Sequence, residues 1–104
     1  MNTKATGQIR VLVYRQAPNK YVGVVFEFGI VDEGKDAEGL YYKLMSAAKE
    51  FLMFVKTKDL PDHNLNKTVD DTLEDKWREA LEKDAENKPN GIFAKIPLPS
   101  LQHA

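Results

Sequence analysis

Few residues in this chain are placed to do chemistry, and His63 is the most conspicuous of them. It follows Asp62 in the segment DLPDH, residues 59–63, where the pair could ligate a metal ion or His63 could act as a general base. Adjacent residues in a proline-containing loop rarely converge on one ion, and no third ligand is evident. We therefore expect His63 to be a solvated loop histidine, and His103, close to the last residue, to be disordered.

Carboxylates suggest a second possibility, a nuclease that holds two divalent ions. Such a site needs several carboxylates converging from strand ends, and the predicted strands supply only Glu27, with Asp32 and Glu33 in the turn that follows. The serines and threonines lack a paired base, and the chain contains no cysteine. The sequence therefore predicts no enzyme, no metal site and no cofactor.

Size and composition indicate one globular domain. The chain has 104 residues, of which 42% are hydrophobic and 30% charged, as is typical of soluble proteins. The first residues, MNTKATGQ, carry no apolar signal region, and no stretch approaches the ~18 apolar residues of a membrane span. We expect a cytoplasmic protein without a membrane contact.

Charge is distributed unevenly along the chain. Residues 1–58 contain nine Lys/Arg and six Asp/Glu, whereas residues 59–91 contain five Lys/Arg and ten Asp/Glu. Duplex DNA binding needs a concentrated basic face, so direct DNA binding is not expected. The acidic part is either a solvated helix face or a surface for a basic partner.

Alternation of apolar residues predicts two strands near the start of the chain, residues 8–16 and 21–30. The short turn between them, residues 17–20, predicts an antiparallel hairpin. Another turn is predicted at residues 32–35, and a short strand around Ile30–Asp32 is left open as an alternative. One face of the first strand is predicted to carry Ile9, Val11 and Val13, and one face of the second strand Val22, Val24, Phe26 and Phe28.

A long amphipathic helix is predicted from Asp36, its N-cap, to about Lys56. Apolar residues recur every three or four positions on the stripe expected to pack on the sheet. Further apolar residues beside this stripe indicate a second contact, either with the later helix or with another subunit. The stripe consists of Ala37, Leu40, Leu44, Ala47, Ala48, Phe51 and Val55. The further apolar residues beside it are Tyr41, Met45, Leu52 and Phe54.

A second, acidic helix is predicted from Val69 to about Asn87, with Thr68 as its N-cap. The segment KPNG, residues 88–91, ends it, and residues 92–96 are predicted as the last strand. The whole pattern predicts an α+β fold. In this fold an antiparallel sheet of three or four strands carries the long helix on one face, with the second helix alongside.

The order of these elements resembles the N-terminal domain of HicB-like antitoxins. In that family two strands lead to a glycine turn of the form G-D-T-x-E-E-A, an amphipathic helix and a segment i-P-x-P-s. Here Gly34 and Glu38 match the turn, Asp36 can replace the threonine as a cap, and IPLPS, residues 96–100, matches the proline segment. The matching stretches are roughly residues 8–56 and 92–100, and the departures at the turn are Lys35 and Gly39.

The resemblance implies a single domain over residues 1–104 with an acidic helical insertion at about 57–91. It implies a truncated ribonuclease H-like sheet with helices on one face, assembly into dimers or tetramers, and binding that blocks a small, basic, RNA-cleaving toxin. We do not expect the DNA-binding domain that many HicB antitoxins carry after their proline segment. The alternative is a non-catalytic homo-oligomer or small-ligand-binding module with the same fold.

The residues expected to bind a partner lie on the second helix. Carboxylates there could mimic RNA phosphates and compete for the basic surface of a toxin. Trp77 could contribute as an aromatic interface residue or could anchor its own helix, and the pair Tyr41–Tyr42 is a further aromatic candidate. The predicted partner-binding residues are Asp71, Asp75, Trp77, Glu79 and Glu82, with Glu86 on the same helix face.

Overall fold

The computed structural model describes residues 1–85 and 91–102. The described residues form four β-strands, two α-helices and two short 3₁₀ helices. Among them, no helix is both long enough and apolar enough to cross a membrane. The elements are β1 (Gln8–Ala17), β2 (Lys20–Val25), β3 (Ile30–Gly34), α1 (Ala37–Thr57), a 3₁₀ helix (Asp62–Leu65), α2 (Asp71–Ala85), β4 (Gly91–Pro97) and a second 3₁₀ helix (Leu98–Gln102).

The strands form one antiparallel sheet in the order β3-β2-β1-β4, which confirms the predicted α+β architecture. β1 and β2 pair as the predicted hairpin, and Asn19 at its turn has a φ of 62°, a left-handed value that asparagine tolerates. β1 lies inside the sheet because β4 pairs along its other edge, with Ile9 opposite Ile96. Since successive side chains of a strand point to opposite faces, β1 contributes to a core on each side.

The first core lies between the sheet and α1. Ile9, Val11 and Val13 of β1 are fully buried there, together with the apolar stripe of the helix. The helix approaches the sheet closely at Gly23, where an added Cβ would lie 2.4 Å from Leu44 Cδ1. A side chain at this position would push α1 outward, so the glycine permits the close packing of helix on sheet. The buried residues of α1 are Leu40, Leu44, Ala48, Leu52 and Val55.

The second core lies on the opposite face of the sheet, under α2. Leu12 and Val24 point to this face and pack with Phe26 and Trp77. Because α1 and α2 cover opposite faces, the expectation that the helices share one face is wrong. The later helix is therefore not the second contact suggested for the excess apolar residues of α1. Of that excess, Leu52 is buried in the first core and Tyr41 and Met45 pack against it, so only Phe54 is exposed. Partly buried residues that complete the second core are Tyr14, Val69, Leu73, Ala80 and Phe93.

The prediction of one strand over residues 21–30 is wrong, since the chain turns between β2 and β3. Within this turn, the Gly29 N–H donates to the Phe26 carbonyl at 3.1 Å. Gly29 has a φ of 65°, a conformation that favours glycine. The turn breaks the strand alternation, so Phe26 enters the second core and Phe28 the first, against the predicted common face.

The N-terminus of α1 is capped as predicted, but that of α2 is capped by a different residue. At α1, the Gly39 N–H donates to Asp36 Oδ2 at 2.8 Å. At α2, the Thr72 N–H donates to Asp70 Oδ1 at 2.9 Å, so Asp70 is the capping residue and the prediction of Thr68 is wrong. A carboxylate also accepts backbone hydrogen bonds more strongly than a hydroxyl does, which favours the later start.

The N-terminal segment is fastened to the loop before α2 by Asn2, which is 4% exposed. The side chain of Asn2 accepts from the Gln8 N–H at 2.8 Å and donates to the Leu65 carbonyl at 2.9 Å. The Asn66 side chain accepts from the Asn2 N–H at 2.6 Å and donates to the Asn2 carbonyl at 2.8 Å. The hydrogen bonds to Gln8 and Leu65 give the buried side-chain amide of Asn2 its partners, and without them its burial would cost free energy.

Candidate functional site

The carboxylates predicted to bind a partner lie together on the exposed side of α2. Spacings of three and four positions bring residues to one side of a helix. Within this group Asp75 pairs with Arg78 and Glu79 with Lys76, so part of the negative charge is neutralised inside the helix. The remainder leaves the surface net negative. The exposed carboxylates of this acidic face are Asp71, Asp75, Glu79 and Glu82.

Trp77 lies on the inner side of α2 and not on the acidic face. It is 6% exposed, and its ring meets Phe26 and Phe93 edge to face at centroid distances of 5.6 and 5.8 Å. Aromatic pairs in this geometry add about 0.5–1.5 kcal/mol beyond the burial of the rings. Trp77 therefore anchors its own helix to the sheet, which is the role that the sequence left open beside partner contact.

A charge cluster beside Trp77 joins β1, the turn after β2, and α2. Arg10 Nη1 and Nη2 donate to Glu74 Oε1 and Oε2 at 2.7 and 2.9 Å, and Arg10 Nε donates to Glu27 Oε2 at 2.7 Å. The guanidinium carbon also lies 4.5 Å from the centre of the Phe26 ring. The hydrogen bonds with Glu74 raise the pKa of Arg10, and they lower the pKa of Glu74 from its ordinary value.

Sequence reasoning missed this cluster because no local spacing rule connects residues 10, 27 and 74. One signal was available in the strand itself. Arg10 alternates with Ile9 and Val11 and so shares a face with Leu12, which is buried. An arginine on a buried face needs a carboxylate partner, and the acidic second helix was the richest source of one.

The carboxylates considered for catalysis do not converge. Asp32 Oδ2 lies 3.0 Å from Lys43 Nζ, and Glu33 Oε2 lies 3.4 Å from Lys20 Nζ. As neighbours on β3, these two acids point to opposite faces of the sheet. Across residues 1–85 and 91–102, no three His, Cys, Asp or Glu residues are grouped so as to hold a metal ion.

His63 is exposed in its 3₁₀ helix. Predicted features at Glu86, Asn87, Lys88, Pro89, Asn90 and His103 lie outside the described residues.

The outer face of α1 exposes apolar side chains. Tyr42 is 68% exposed, Met53 56% and Phe54 53%. Tyr41, by contrast, is half-buried and meets Tyr42 edge to face at 5.8 Å. Beside Met53, the helix and the C-terminal 3₁₀ helix enclose a groove of about 340 Å³. This groove is lined by Lys49, Leu52, Met53, Lys56, Thr57 and Leu101.

Comparisons with known proteins supply no relative for this chain. No family model matches it, and no curated protein or solved structure matches it either. The likeness to HicB-like antitoxins therefore stays a resemblance of motifs in their order along the chain, and function has to be argued from the two surfaces described above.

Proposed function

We propose that this protein acts by binding another protein through the acidic face of α2, as a HicB-like antitoxin or an orphan relative of that family. The partner is a small basic ribonuclease toxin, whose RNA-binding surface the carboxylates occupy. The observation that carries the proposal is the acidic face itself. Its exposed carboxylates, Asp71, Asp75, Glu79 and Glu82, lie on one side of a helix whose other side is attached to the sheet.

The attachment of α2 favours binding because the acidic face is positioned before a partner arrives. Trp77 packs into the second core, and Glu74 forms its two hydrogen bonds with Arg10. A surface that is already ordered loses less conformational entropy when it binds. Exposed charges of one sign also steer an oppositely charged partner and raise the association rate.

The motifs that carry the resemblance occupy adjoining elements, which supports the same proposal. Gly34 is the last residue of β3, and Asp36 caps α1 directly after it. The segment at residues 96–100 covers the end of β4 and the start of the C-terminal 3₁₀ helix. Together these features follow the family's order of strand, glycine, capped helix and proline segment, with α2 inserted before the proline segment.

The test begins with the tagged protein purified from its native host and mass spectrometry of its stoichiometric partners. We expect a small basic protein that cleaves RNA and loses that activity when this protein is added. Binding of the purified ribonuclease is then measured for the Asp75→Lys/Glu79→Lys variant. The matched control is Glu50→Lys/Asp62→Lys, which changes the charge equally at exposed positions away from α2.

The double reversal on the acidic face should weaken binding about ten-fold or more, chiefly through slower association, while the control stays close to wild type. Raising the salt concentration from about 50 to about 500 mM should slow association of the wild type in the same way. Two results would contradict the proposal. One is recovery of the protein without a ribonuclease, and the other is equal affinity of the Asp75→Lys/Glu79→Lys variant and the wild type.

A further inference from the structure

We propose that the groove between α1 and the C-terminal 3₁₀ helix binds a medium-chain fatty-acid anion. The acyl chain lies along the apolar floor of the groove, and the carboxylate meets Lys56 at one end. The groove is separate from the acidic face, because α1 and α2 cover opposite faces of the sheet. The proposal is therefore independent of the proposed binding to a ribonuclease, and each can fail without the other.

The groove continues along α1 beyond Met53. The cavity of about 340 Å³ beside Met53 adjoins another of about 270 Å³ nearer the N-terminus of the helix, and both are lined by Lys49 and Leu101. We call the two cavities together the α1 groove. Small-molecule sites in proteins have volumes of about 300–1,000 Å³, so the α1 groove has the size of such a site. The further residues that line its second cavity are Tyr42, Met45, Ser46 and Ser100.

The floor of the α1 groove is apolar and recessed. Leu52 and Leu101 line the groove although they are only 1% and 2% exposed, whereas Met53 on its wall is 56% exposed. A single acyl chain can reach into such a recess, and each methylene group that it buries there favours binding. Met45 and Met53 are unbranched and flexible, so they can adapt to the shape of the chain.

The charge at the end of the α1 groove indicates that the ligand is an anion. Among the described residues that line the groove none is acidic, whereas Lys56 lies half-buried at the end formed by the last turn of α1. No carboxylate of the described residues forms an ion pair with Lys56. A lysine stem packs along apolar surface while its ammonium group stays at the edge. Lys56 therefore offers a charge-assisted hydrogen bond to a carboxylate, and the neighbouring Thr57 hydroxyl offers a second donor.

The length of the α1 groove sets the length of the acyl chain. Met45 and Lys56 line opposite ends of the groove, and their separation in sequence corresponds to about 16 Å of helix. An extended chain of roughly twelve carbons has this length, because each C–C bond of about 1.5 Å advances the chain by slightly less than its own length. Decanoate and dodecanoate therefore fit with the carboxylate at Lys56 and the methyl end near Met45.

Isothermal titration calorimetry of the full chain with sodium decanoate, below the concentration at which micelles form, tests the proposal. We expect one site with a dissociation constant below about 1 mM. Octanoate should bind about ten-fold more weakly, because it buries two fewer methylene groups. Decyltrimethylammonium has the same chain with a cationic head group and should also bind at least ten-fold more weakly. No binding of decanoate, or equal binding of decanoate and decyltrimethylammonium, would overturn the proposal.

Substitutions in the α1 groove have closely matched controls. Met53→Glu should raise the dissociation constant for decanoate about ten-fold or more, because it places a negative charge on the wall of the groove. Its control is Phe54→Glu, since Phe54 is 53% exposed on the same helix but does not line the groove. Lys56→Met should weaken decanoate about three- to ten-fold and reduce its advantage over decyltrimethylammonium, whereas Lys83→Met on α2 should change neither. Circular dichroism confirms that each variant is folded, and equal affinities of Met53→Glu and Phe54→Glu would contradict the proposal.

Two further measurements locate the ligand and distinguish its source. In an amide chemical-shift titration with decanoate, the largest changes should fall at residues 49–57 and in the C-terminal 3₁₀ helix, Leu98–Gln102. Changes centred on α2 would overturn the proposal. A membrane surface offers similar amphipathic anions, so vesicles of phosphatidylglycerol are the comparison. We expect the protein not to sediment with them, and sedimentation that decanoate does not reduce would show that the groove serves a bilayer instead of a free fatty acid.

Discussion

Arg10 and Glu74 form a bidentate ion pair, with Nη1–Oε1 and Nη2–Oε2 distances of 2.7 and 2.9 Å. Arg10 belongs to the inner strand β1 and Glu74 to α2, so the pair links the second helix to the sheet. Two parallel hydrogen bonds from one guanidinium to one carboxylate are among the stronger hydrogen-bond arrangements in proteins. The same guanidinium holds Glu27, which places two carboxylates around one cation.

Replacing Arg10 by methionine should lower the free energy of unfolding by about 2–4 kcal/mol, because two half-buried carboxylates lose their shared cation. Methionine retains much of the apolar stem, so the loss reports mainly on the charge and its hydrogen bonds. Urea denaturation measures this decrease in the free energy of unfolding. The matched control is Arg15→Met, an exposed arginine on the same strand, and equal losses in the two variants would contradict the role of Arg10.

Glu74 should make stability depend on pH in the acid range. Hydrogen bonds from Arg10 lower the pKa of Glu74 in the folded protein, so the unfolded chain takes up the proton first. The stabilisation is therefore complete above the unfolded glutamate pKa of about 4.3 and is lost as the pH falls through the lower folded value.

Wild type should thus exceed Glu74→Gln in stability by about 1 kcal/mol at neutral pH, a modest figure because solvent reaches this side chain. The difference should shrink steadily below about pH 4. Urea denaturation over a pH series measures it, with Glu82→Gln on the exposed side of the same helix as the control. A difference that stays constant with pH would show that the charge of Glu74 is not involved.

Trp77→Ala should lower the free energy of unfolding by about 3–5 kcal/mol, the usual loss for a large aromatic side chain in a core. Trp77→Phe should lose less, because a ring remains between Phe26 and Phe93. Trp77 is the chain's single tryptophan, so circular dichroism must follow unfolding in place of fluorescence. Tyr42→Ala, an exposed aromatic, should change stability little. If Trp77→Ala behaves like Tyr42→Ala, the anchoring role is wrong.

Gly23→Ala should destabilise the protein by about 1–3 kcal/mol, because the added methyl group has to displace α1. The control is Gly34→Ala, where the new Cβ would lie 3.6 Å from Leu40 Cβ, an ordinary contact distance. Adding Leu44→Ala to Gly23→Ala should cost less than the sum of the single changes, since it removes the clashing atom. Urea denaturation measures the free energy of unfolding of each variant. If the losses in the two single variants add up to the loss in the double variant, the contact with Leu44 is not the cause of the destabilisation.

The features that sequence predicted well are decided by residues close together in the chain. The β1–β2 hairpin depends on a turn where Asn19 accepts a positive φ. The start of α1 depends on Asp36 and on the Gly39 N–H three residues later. Both signals lie within a few residues, so a pattern of residue types is enough to find them.

The features that sequence missed depend on segments far apart in the chain. An amphipathic stripe shows that α2 is buried on one side, but it does not show which face of the sheet the helix covers. A clue was present in β1, where Val11, Leu12 and Val13 are consecutive and apolar. A strand that is apolar on both sides needs cover on both sides. Gly29 was the corresponding local clue to the missed turn between β2 and β3.

For the candidate site, helical periodicity was sufficient to group Asp71, Asp75, Glu79 and Glu82, because these residues belong to one element. It could not decide between the two roles of Trp77. That choice depended on Phe26 and Phe93, which reach Trp77 from other elements.

The position of β1 between β2 and β4 has a consequence for how the chain reaches its native state. β2 follows β1 directly, whereas the partner on the other edge, β4, comes from the far end of the chain. During synthesis the hairpin and α1 can form early, and the second edge of β1 waits unpaired until β4 has been made. Joining segments so distant in sequence closes a large loop and slows folding. Until then the open edge can pair with another chain, so the yield of native protein depends on how soon β4 arrives.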